Sequence, residues 1–238
     1  GNLDDWQAGA RKLTNEYIEK YKNYFLNNNA NYGHKKEALD PAPVVILIPK
    51  VGLVATGVNL KNAKICADLA ETNIEVIRDC EQIGSFECIS EKDIFEIEHW
   101  SLEQAKLRGQ KLGSMEGKIV AITGGAGEIG RATAIEFKKN GAEVALLDRD
   151  GDLAKEMCKK IGGLAIECDV TSSSSVEKAF RIICKKLGGV DVVVSNAGGA
   201  WEGEIGTVAQ ETLRESFALN FWGYQTISQK AVQIMRQQ

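Results

Sequence analysis

Lys118-Ile-Val-Ala-Ile-Thr123 and the segment that follows it, Gly124-Gly-Ala-Gly-Glu-Ile-Gly130, decide the fold of this chain. The first six residues form an apolar run that predicts a buried β-strand, and the glycines after it mark a turn. Within the turn, Gly125, Gly127 and Gly130 meet the spacing Gly-x-Gly-x-x-Gly. A helical pattern begins directly after them. A strand, a glycine turn and a helix in this order are typical of a loop that holds the phosphates of a dinucleotide.

The residues around this turn fit such a ligand. The glycines allow a tight turn, a close approach of backbone to a pyrophosphate, and close packing of helix on strand. The helix that follows the turn points its free N–H groups at the phosphates. Asp148 ends the next predicted strand and is positioned to accept hydrogen bonds from the adenosine ribose. Its carboxylate would repel a 2′-phosphate, and Arg149 beside it would compensate only in part, so NAD is favoured over NADP.

Strand and helix patterns alternate on both sides of Asp148. Strands are predicted at 118–123, 143–147, 164–168 and 190–195, and helices at 131–140, 151–161, 174–187 and 209–237. Such alternation is typical of βαβ units with a parallel sheet. Because the crossovers of such units are right-handed, the doubly wound strand order 3-2-1-4 is expected. We therefore predict an α/β fold in which this part of the chain is a partial Rossmann unit.

The residues before the glycine turn follow a different pattern. Helices are predicted at 1–38 and 60–79, a buried strand at 44–48, a second strand at 51–54, irregular structure at 86–100 and a short helix from Ser101. The segment Gly109–Gly117 is polar, punctuated by glycine and without an apolar period, and we interpret it as a domain boundary. The sequence thus predicts a smaller α+β subdomain at 1–112 and the Rossmann unit at 113–238.

Composition limits the partners of the protein. The chain of 238 residues has a net charge of −4, which gives no support for nucleic-acid binding. Its apolar runs are far shorter than the roughly 20 residues that a membrane-spanning helix needs. The N-terminus lacks the layout of a secretory signal, and the six cysteines form no Cys-x-x-Cys pair. We expect a cytoplasmic protein with reduced thiols, no membrane and no nucleic-acid partner.

Three later segments resemble motifs of the short-chain dehydrogenase/reductase family. Asp169-Val170 resembles the family's adenine-ring contact, and Asn196-Ala197-Gly198 resembles its Asn-Ala-Gly motif, where backbone approaches the cofactor. Asn220 stands where the family keeps an asparagine that maintains the active-site water and proton path. The resemblance implies NAD as cofactor and hydride transfer involving a small hydroxy or carbonyl substrate. Asn220 is the predicted catalytic residue, and the predicted cofactor-binding residues are Gly124, Gly125, Gly127, Glu128, Ile129, Gly130, Asp148, Arg149, Asp169, Val170, Asn196, Ala197 and Gly198.

Glu128 departs from the family pattern. The classical loop is written Thr-Gly-x-x-x-Gly-x-Gly, and its middle glycine would fall at this position. The chain instead fits the Thr-Gly-x-x-Gly-x-x-Gly spacing of the extended branch, which includes sugar-nucleotide epimerases. A carboxylate beside a pyrophosphate should weaken binding unless it turns to solvent. Two alternatives to the dehydrogenase therefore stay open: a non-catalytic nucleotide-binding or assembly module, and an extended-type epimerase.

The family's catalytic serine, tyrosine and lysine follow its asparagine, and the sequence reaches Gln238 before those positions. Tyr32 and Lys36 match the Tyr-x-x-x-Lys spacing but precede the Rossmann unit, so we interpret the match as chance. We expect the chain to be part of a longer protein and to be inactive alone. The open edge of the fourth predicted strand favours a homo-oligomer.

Residues 1–112 resemble the junction of bifunctional proteins in which a class II aldolase precedes a short-chain dehydrogenase. The resemblance is carried by Asp40–Leu53 and Ile97–Leu107, and the best-known members act on rhamnulose 1-phosphate and lactaldehyde, which implies rhamnose metabolism. Class II aldolases hold zinc with several histidines. This chain has only His34 and His99, without ligand spacing, so we predict no metal site. We interpret His99 as a packing or interface residue and the segment as a docking subdomain.

Overall fold

The computed structural model describes residues 3–33, 35–102 and 113–238. The chain divides into two compact units, Gly1–Lys111 and Leu112–Gln238. Most of the predicted helix from Ser101, part of the predicted boundary at 109–117, and His34 lie outside the described residues. No helix within the described ranges is long and apolar enough to cross a membrane.

The first unit combines helices with a two-stranded hairpin. Its elements are α1 (Leu3–Ala30), β1 (Val45–Ile48), β2 (Gly52–Ala55), α2 (Leu60–Ile83) and α3 (Glu91–Glu98). β1 and β2 are antiparallel, with Val45 opposite Ala55. The prediction of a buried strand at 44–48 is wrong in one respect, because β1 alternates exposed and half-buried residues. The hairpin is covered by α2 on one face only. A short β-branched run in the sequence does not show whether one face or both faces of a strand are buried.

The helix α3 contradicts the prediction of irregular structure at 86–100. Ser90 caps it: the Ser90 hydroxyl accepts a hydrogen bond from the Asp93 amide at 3.2 Å and donates to the Asp93 carboxylate at 2.6 Å. Phe95 on this helix is fully buried and stacks on the His99 ring, with ring centroids 4.2 Å apart. Further rings around Phe95 are Tyr24, Phe25 and Tyr32 of the α1 region. The buried position of His99 in this aromatic cluster confirms its interpretation as a packing residue.

The second unit is the predicted Rossmann arrangement. Its elements are β3 (Ile119–Thr123), α4 (Glu128–Lys139), β4 (Glu143–Asp148), α5 (Gly151–Ile161), β5 (Leu164–Glu167), α6 (Ser173–Leu187), β6 (Val192–Val194), α7 (Gln210–Phe217), a π-helical turn (Ala218–Gly223) and α8 (Tyr224–Met235). The strands are parallel in the order β5-β4-β3-β6. Counted within the unit this is 3-2-1-4, so the predicted strand order is confirmed.

Both faces of the sheet are buried. Val120 and Ile122 of β3 pack on one side with Ala134 of α4, whereas Ala121 between them packs on the other side with Phe180 of α6 and its neighbours. Successive residues of a strand point to opposite faces, so a strand covered on both sides is apolar throughout. This explains the continuous apolar run from which the fold was predicted.

The last predicted helix, 209–237, is three segments rather than one. α7 and α8 are joined by the π-helical turn at Ala218–Gly223, which contains Asn220. A π-turn widens a helix locally, and such turns occur frequently at functional sites.

Candidate functional site

A cavity of about 800 Å³ lies where the strands of the second unit end. In open parallel sheets, ligands bind in the crevice outside the carboxyl ends of the strands. The predicted cofactor-binding residues line this cavity, except for Gly125 and Gly130. Its walls are formed by Gly124, Gly127, Glu128, Ile129, Asp148, Arg149, Cys168, Asp169, Val170, Thr171, Asn196, Ala197, Gly198, Trp201, Glu215, Ala218 and Leu219.

Gly125 and Gly130 shape the loop from behind. A Cβ on Gly130 would meet the backbone oxygen of Gly124 and would lie 2.8 Å from the Cα of Gly125. A Cβ on Gly125 would lie 2.9 Å from the Cβ of Leu146 in β4. These two glycines therefore let the turn pack on the sheet and on the first turn of α4, in agreement with the spacing argument.

Gly124 and Gly127 face the cavity. Gly124 has a φ of 59°, in the left-handed region that favours glycine, and its Cα approaches the Ala197 backbone. Gly127 is the N-cap of α4 and makes no side-chain cap. The helix begins at Glu128, three residues before the predicted start at 131. Its first amides have no intrahelical partner, so its positive end is available to an anion.

Asp148 ties the glycine loop to the end of β4. One oxygen of its carboxylate accepts a hydrogen bond from the Ala126 amide at 3.0 Å, and the other accepts one from the Asp150 amide at 3.0 Å. A carboxylate has about four lone-pair sites in all, so each oxygen can accept a further hydrogen bond. Because Asp148 also lines the cavity, it can accept hydrogen bonds from ligand hydroxyls.

Asp169 closes a second side of the cavity with a tight turn. Its Oδ1 accepts hydrogen bonds from the Thr171 hydroxyl at 2.7 Å and from the Thr171 amide at 2.9 Å. These hydrogen bonds, followed by the nearby charge of Arg149, hold the pKa of Asp169 below its ordinary value. Burial raises the pKa of the neighbouring Cys168 thiol to about 11. Cys168 is therefore a neutral wall residue rather than a nucleophile.

Thr123 joins the glycine loop to the segment after β6. Its hydroxyl accepts hydrogen bonds from the amides of Asn196 at 2.9 Å and Ala197 at 3.0 Å. The Asn196 side chain donates in return to the backbone oxygens of Thr123 at 3.0 Å and Gly124 at 3.1 Å. The structure thus brings two predicted motifs together. It also reveals Thr123, which the sequence indicated only as a strand end, as the residue that joins them.

Asn220 holds the backbone that follows Gly198. Its Oδ1 accepts a hydrogen bond from the Gly199 amide at 3.1 Å, and its Nδ2 donates to the Gly199 oxygen at 2.8 Å. The π-helical turn places this side chain beside the Gly198–Gly199 segment. This geometry is that of a positioning residue, and the catalytic role of Asn220 stays a prediction.

Glu128 turns towards solvent. Its side chain is 89% exposed and pairs with the Arg131 guanidinium at 2.9 Å, one turn further along α4. The carboxylate therefore borders the cavity with part of its charge balanced by a neighbour.

The remaining sequence candidates have structural roles. The Tyr32 hydroxyl donates to the Glu96 carboxylate at 2.6 Å, and the Lys36 ammonium donates to the His99 backbone oxygen at 2.8 Å. Both residues thus support the packing of the first unit. Among the described residues there is no group of three or more His, Cys, Asp or Glu side chains that could hold a metal ion.

Comparison with known proteins gives two family matches. Residues 118–238 match the family model described as short chain dehydrogenase, and residues 1–107 match the one described as aldolase class II, second domain. The two matches occur side by side in one chain, as in the bifunctional proteins that the sequence resembles.

Several of the curated relatives carry names of oxidoreductases. "Uncharacterized oxidoreductase YuxG" of Bacillus subtilis is 30% identical over 244 residues, which cover 98% of this chain and 34% of the relative. "Short chain aldehyde dehydrogenase 1" of Euphorbia lathyris is 33% identical over 51% of this chain and 44% of its own. The chain thus spans less than half the length of each. Among solved structures, the 3-ketoacyl-(acyl-carrier-protein) reductase from Brucella melitensis complexed with NADH is 29% identical, with 51% of each chain covered and a TM-score of 0.49.

Proposed function

This chain belongs to the short-chain dehydrogenase family through residues 118–238, and on that basis we propose that its second unit binds NAD for an oxidoreductase reaction. The reaction moves a hydride between the nicotinamide and a small hydroxy, carbonyl or sugar-derived compound. When bound, NAD supplies the hydride acceptor, and the protein supplies binding and orientation. Residues 1–112 serve as the docking part of an aldolase-like region, and residues 113–238 hold the cofactor.

The observation that carries this proposal is the position of Asp148. It anchors the glycine loop through Ala126 and faces the same cavity as the start of α4. A helix N-terminus favours the diphosphate, and a carboxylate about one nucleoside away favours ribose hydroxyls. Gly124 and Gly127 line the cavity without side chains, and Gly130 lets α4 pack closely on the loop. The residues present therefore fit a dinucleotide.

Each further residue has a task in binding or orientation. Asp169 and Val170 border the space for the adenine ring, and the Asn196–Gly198 backbone borders the rest of the cofactor. Asn220 keeps Gly199 in place beside it. The resemblance to bifunctional aldolase/dehydrogenases makes lactaldehyde the first substrate to test. The six cysteines are free thiols, which supports a reducing, cytoplasmic setting.

Titration of the full chain with NADH and NADPH in a calorimeter tests the proposal. We expect NADH to bind about tenfold more tightly than NADPH, because the Asp148 carboxylate repels a 2′-phosphate. Asp148→Asn keeps an acceptor for one amide but removes the charge, so it should reduce this preference to about twofold. The control Asp152→Asn removes an exposed carboxylate that is paired with Lys155 outside the cavity, and should leave the preference unchanged. Absence of heat with either nucleotide at millimolar concentration would refute the proposal.

Glu128 leads to a second prediction. Glu128→Gly is expected to tighten NADH binding about tenfold, because it removes a negative charge near the diphosphate that salt and Arg131 only partly screen. Glu128→Gln should give most of this gain, since it removes the charge and keeps the side chain. Glu136→Gln, which removes a carboxylate paired with Lys139 on the same helix, is the matched control. Weaker binding by both Glu128 variants would instead mean that this carboxylate contributes to the ligand site.

A further inference from the structure

We propose that Trp201 stacks on a planar heteroaromatic ring of the dinucleotide. This inference rests on the proposed function and adds a binding residue that belongs to none of the sequence motifs. Among the described residues that line the cavity, Trp201 is the only aromatic one. Its residue surface is 38% exposed, so part of the indole is open to a ligand.

The indole packs against defined neighbours in the protein. A Cβ placed on Gly199 would lie 3.1 Å from Cη2 of Trp201 and 3.3 Å from its Cζ3, so the six-membered ring packs directly over this glycine. The Leu219 side chain reaches the same point, at 3.3 Å. One edge of the indole therefore packs on Gly199, with the Leu219 side chain beside the same glycine, while Trp201 still lines the cavity.

The support under the ring is itself fixed. Asn220 binds both the amide and the oxygen of Gly199, which leaves this backbone little freedom to move. A Cβ at position 199 would force the indole to shift by a few tenths of an ångström, so the glycine allows the close approach of ring and backbone. A ring held in this way loses little conformational freedom when a ligand arrives.

The chemistry of the ligand matches a flat aromatic wall. Both ends of a nicotinamide dinucleotide carry a planar heteroaromatic ring, and aromatic side chains stack on such rings with little dependence on their substituents. Leu219, whose side chain also lies beside Gly199, adds an apolar surface next to the indole. Either the adenine or the nicotinamide can supply the stacked ring, and the experiment separates the two.

The test measures the affinity of the full chain for NADH in variants of position 201. Trp201→Leu keeps an apolar side chain to cover Gly199 but has no π-face, and we expect the Kd to rise about tenfold. Trp201→Phe keeps a π-face and should stay within about threefold of the wild type. Trp6→Leu replaces a more exposed tryptophan, on α1, and should leave the Kd unchanged. Binding to the wild type should also quench tryptophan fluorescence, and Trp201→Phe should remove most of that change.

Titrations with AMP and with nicotinamide mononucleotide identify the ring. The fragment that loses affinity in Trp201→Leu is the one that stacks. If the wild type binds NADH and Trp201→Leu binds it equally well, the stacking proposal is overturned while the proposed function stands. Stacking is also overturned if Trp201→Leu and Trp201→Phe weaken NADH binding equally. The loss of affinity would then come only from lost packing on Gly199. If the wild type binds no nucleotide, the proposed function itself fails.

Discussion

Gly130→Ala is expected to raise the Kd for NADH about a hundredfold and to reduce the free energy of unfolding of the second unit by about 2 kcal/mol. The new methyl group would meet the Gly124 oxygen and lie 2.8 Å from the Gly125 Cα. Both neighbours are backbone atoms of the loop, so the clash cannot be relieved by rotation of a side chain. The loop must move away from α4, and its amides then no longer converge on a diphosphate. Calorimetric titration and thermal unfolding measure the two effects.

Gly206→Ala is the control for this change. Nothing lies within 4 Å of a Cβ at Gly206, and it does not have a positive φ. We expect this variant to keep the affinity and the stability of the wild type. If Gly130→Ala bound NADH with a Kd within about threefold of the wild type, the close approach of α4 to the loop would not be required for binding.

Phe95→Ala should reduce the free energy of unfolding of the first unit by about 3–5 kcal/mol. Phe95 is fully buried, and its ring touches His99, Tyr24 and Phe25 across the α1–α3 contact. Truncation removes the shared neighbour of all these rings and leaves a cavity that they can fill only in part. Urea unfolding followed by near-ultraviolet circular dichroism measures the loss, because tyrosine rings of the cluster contribute to that signal.

A pair of variants makes this prediction specific. Ile97→Ala truncates a residue of the same helix that is 62% exposed, and its effect should be within about 0.5 kcal/mol. Phe95→Leu keeps much of the volume and should cost about 1–2 kcal/mol, which keeps the comparison possible if Phe95→Ala does not fold. An equal loss for Phe95→Ala and Ile97→Ala would contradict the central role of the Phe95 ring.

Much of the second unit could be predicted because its signals are regular. Each of the strands β3 to β6 coincides with an apolar run of the sequence. Right-handed crossovers between parallel strands then leave few possible strand orders. The first unit offered weaker signals. α3 has only eight residues, too few for a clear helical period, although Ser90 and Asp93 form a capping pattern that indicates its start. The π-helical turn at Ala218–Gly223 is a rare local variant without a sequence signature of its own, so the sequence predicts one continuous helix there.

The sequence likewise predicts some parts of the candidate site and not others. Parallel strands bring their carboxyl ends to one edge, so the meeting of Asp148 with the segments after β5 and β6 could be predicted. The pairing of Glu128 with Arg131 depends on side-chain rotamers that a motif does not encode. The link from Thr123 to Asn196 joins residues far apart in sequence and depends on the direction of one hydroxyl. Trp201 lies in an irregular segment without periodicity, and only the folded loop places it at the cavity.

The Asp148 carboxylate accepts two hydrogen bonds from backbone amides, and these also affect how a ligand would bind. The one from Ala126 fixes the glycine turn within the protein itself, so that its backbone is ordered before any ligand arrives. An incoming molecule then has no coil-to-turn transition to drive, and little of the favourable free energy of contact is offset by lost chain entropy. Encounter and orientation, rather than folding of the turn, would then set the association rate.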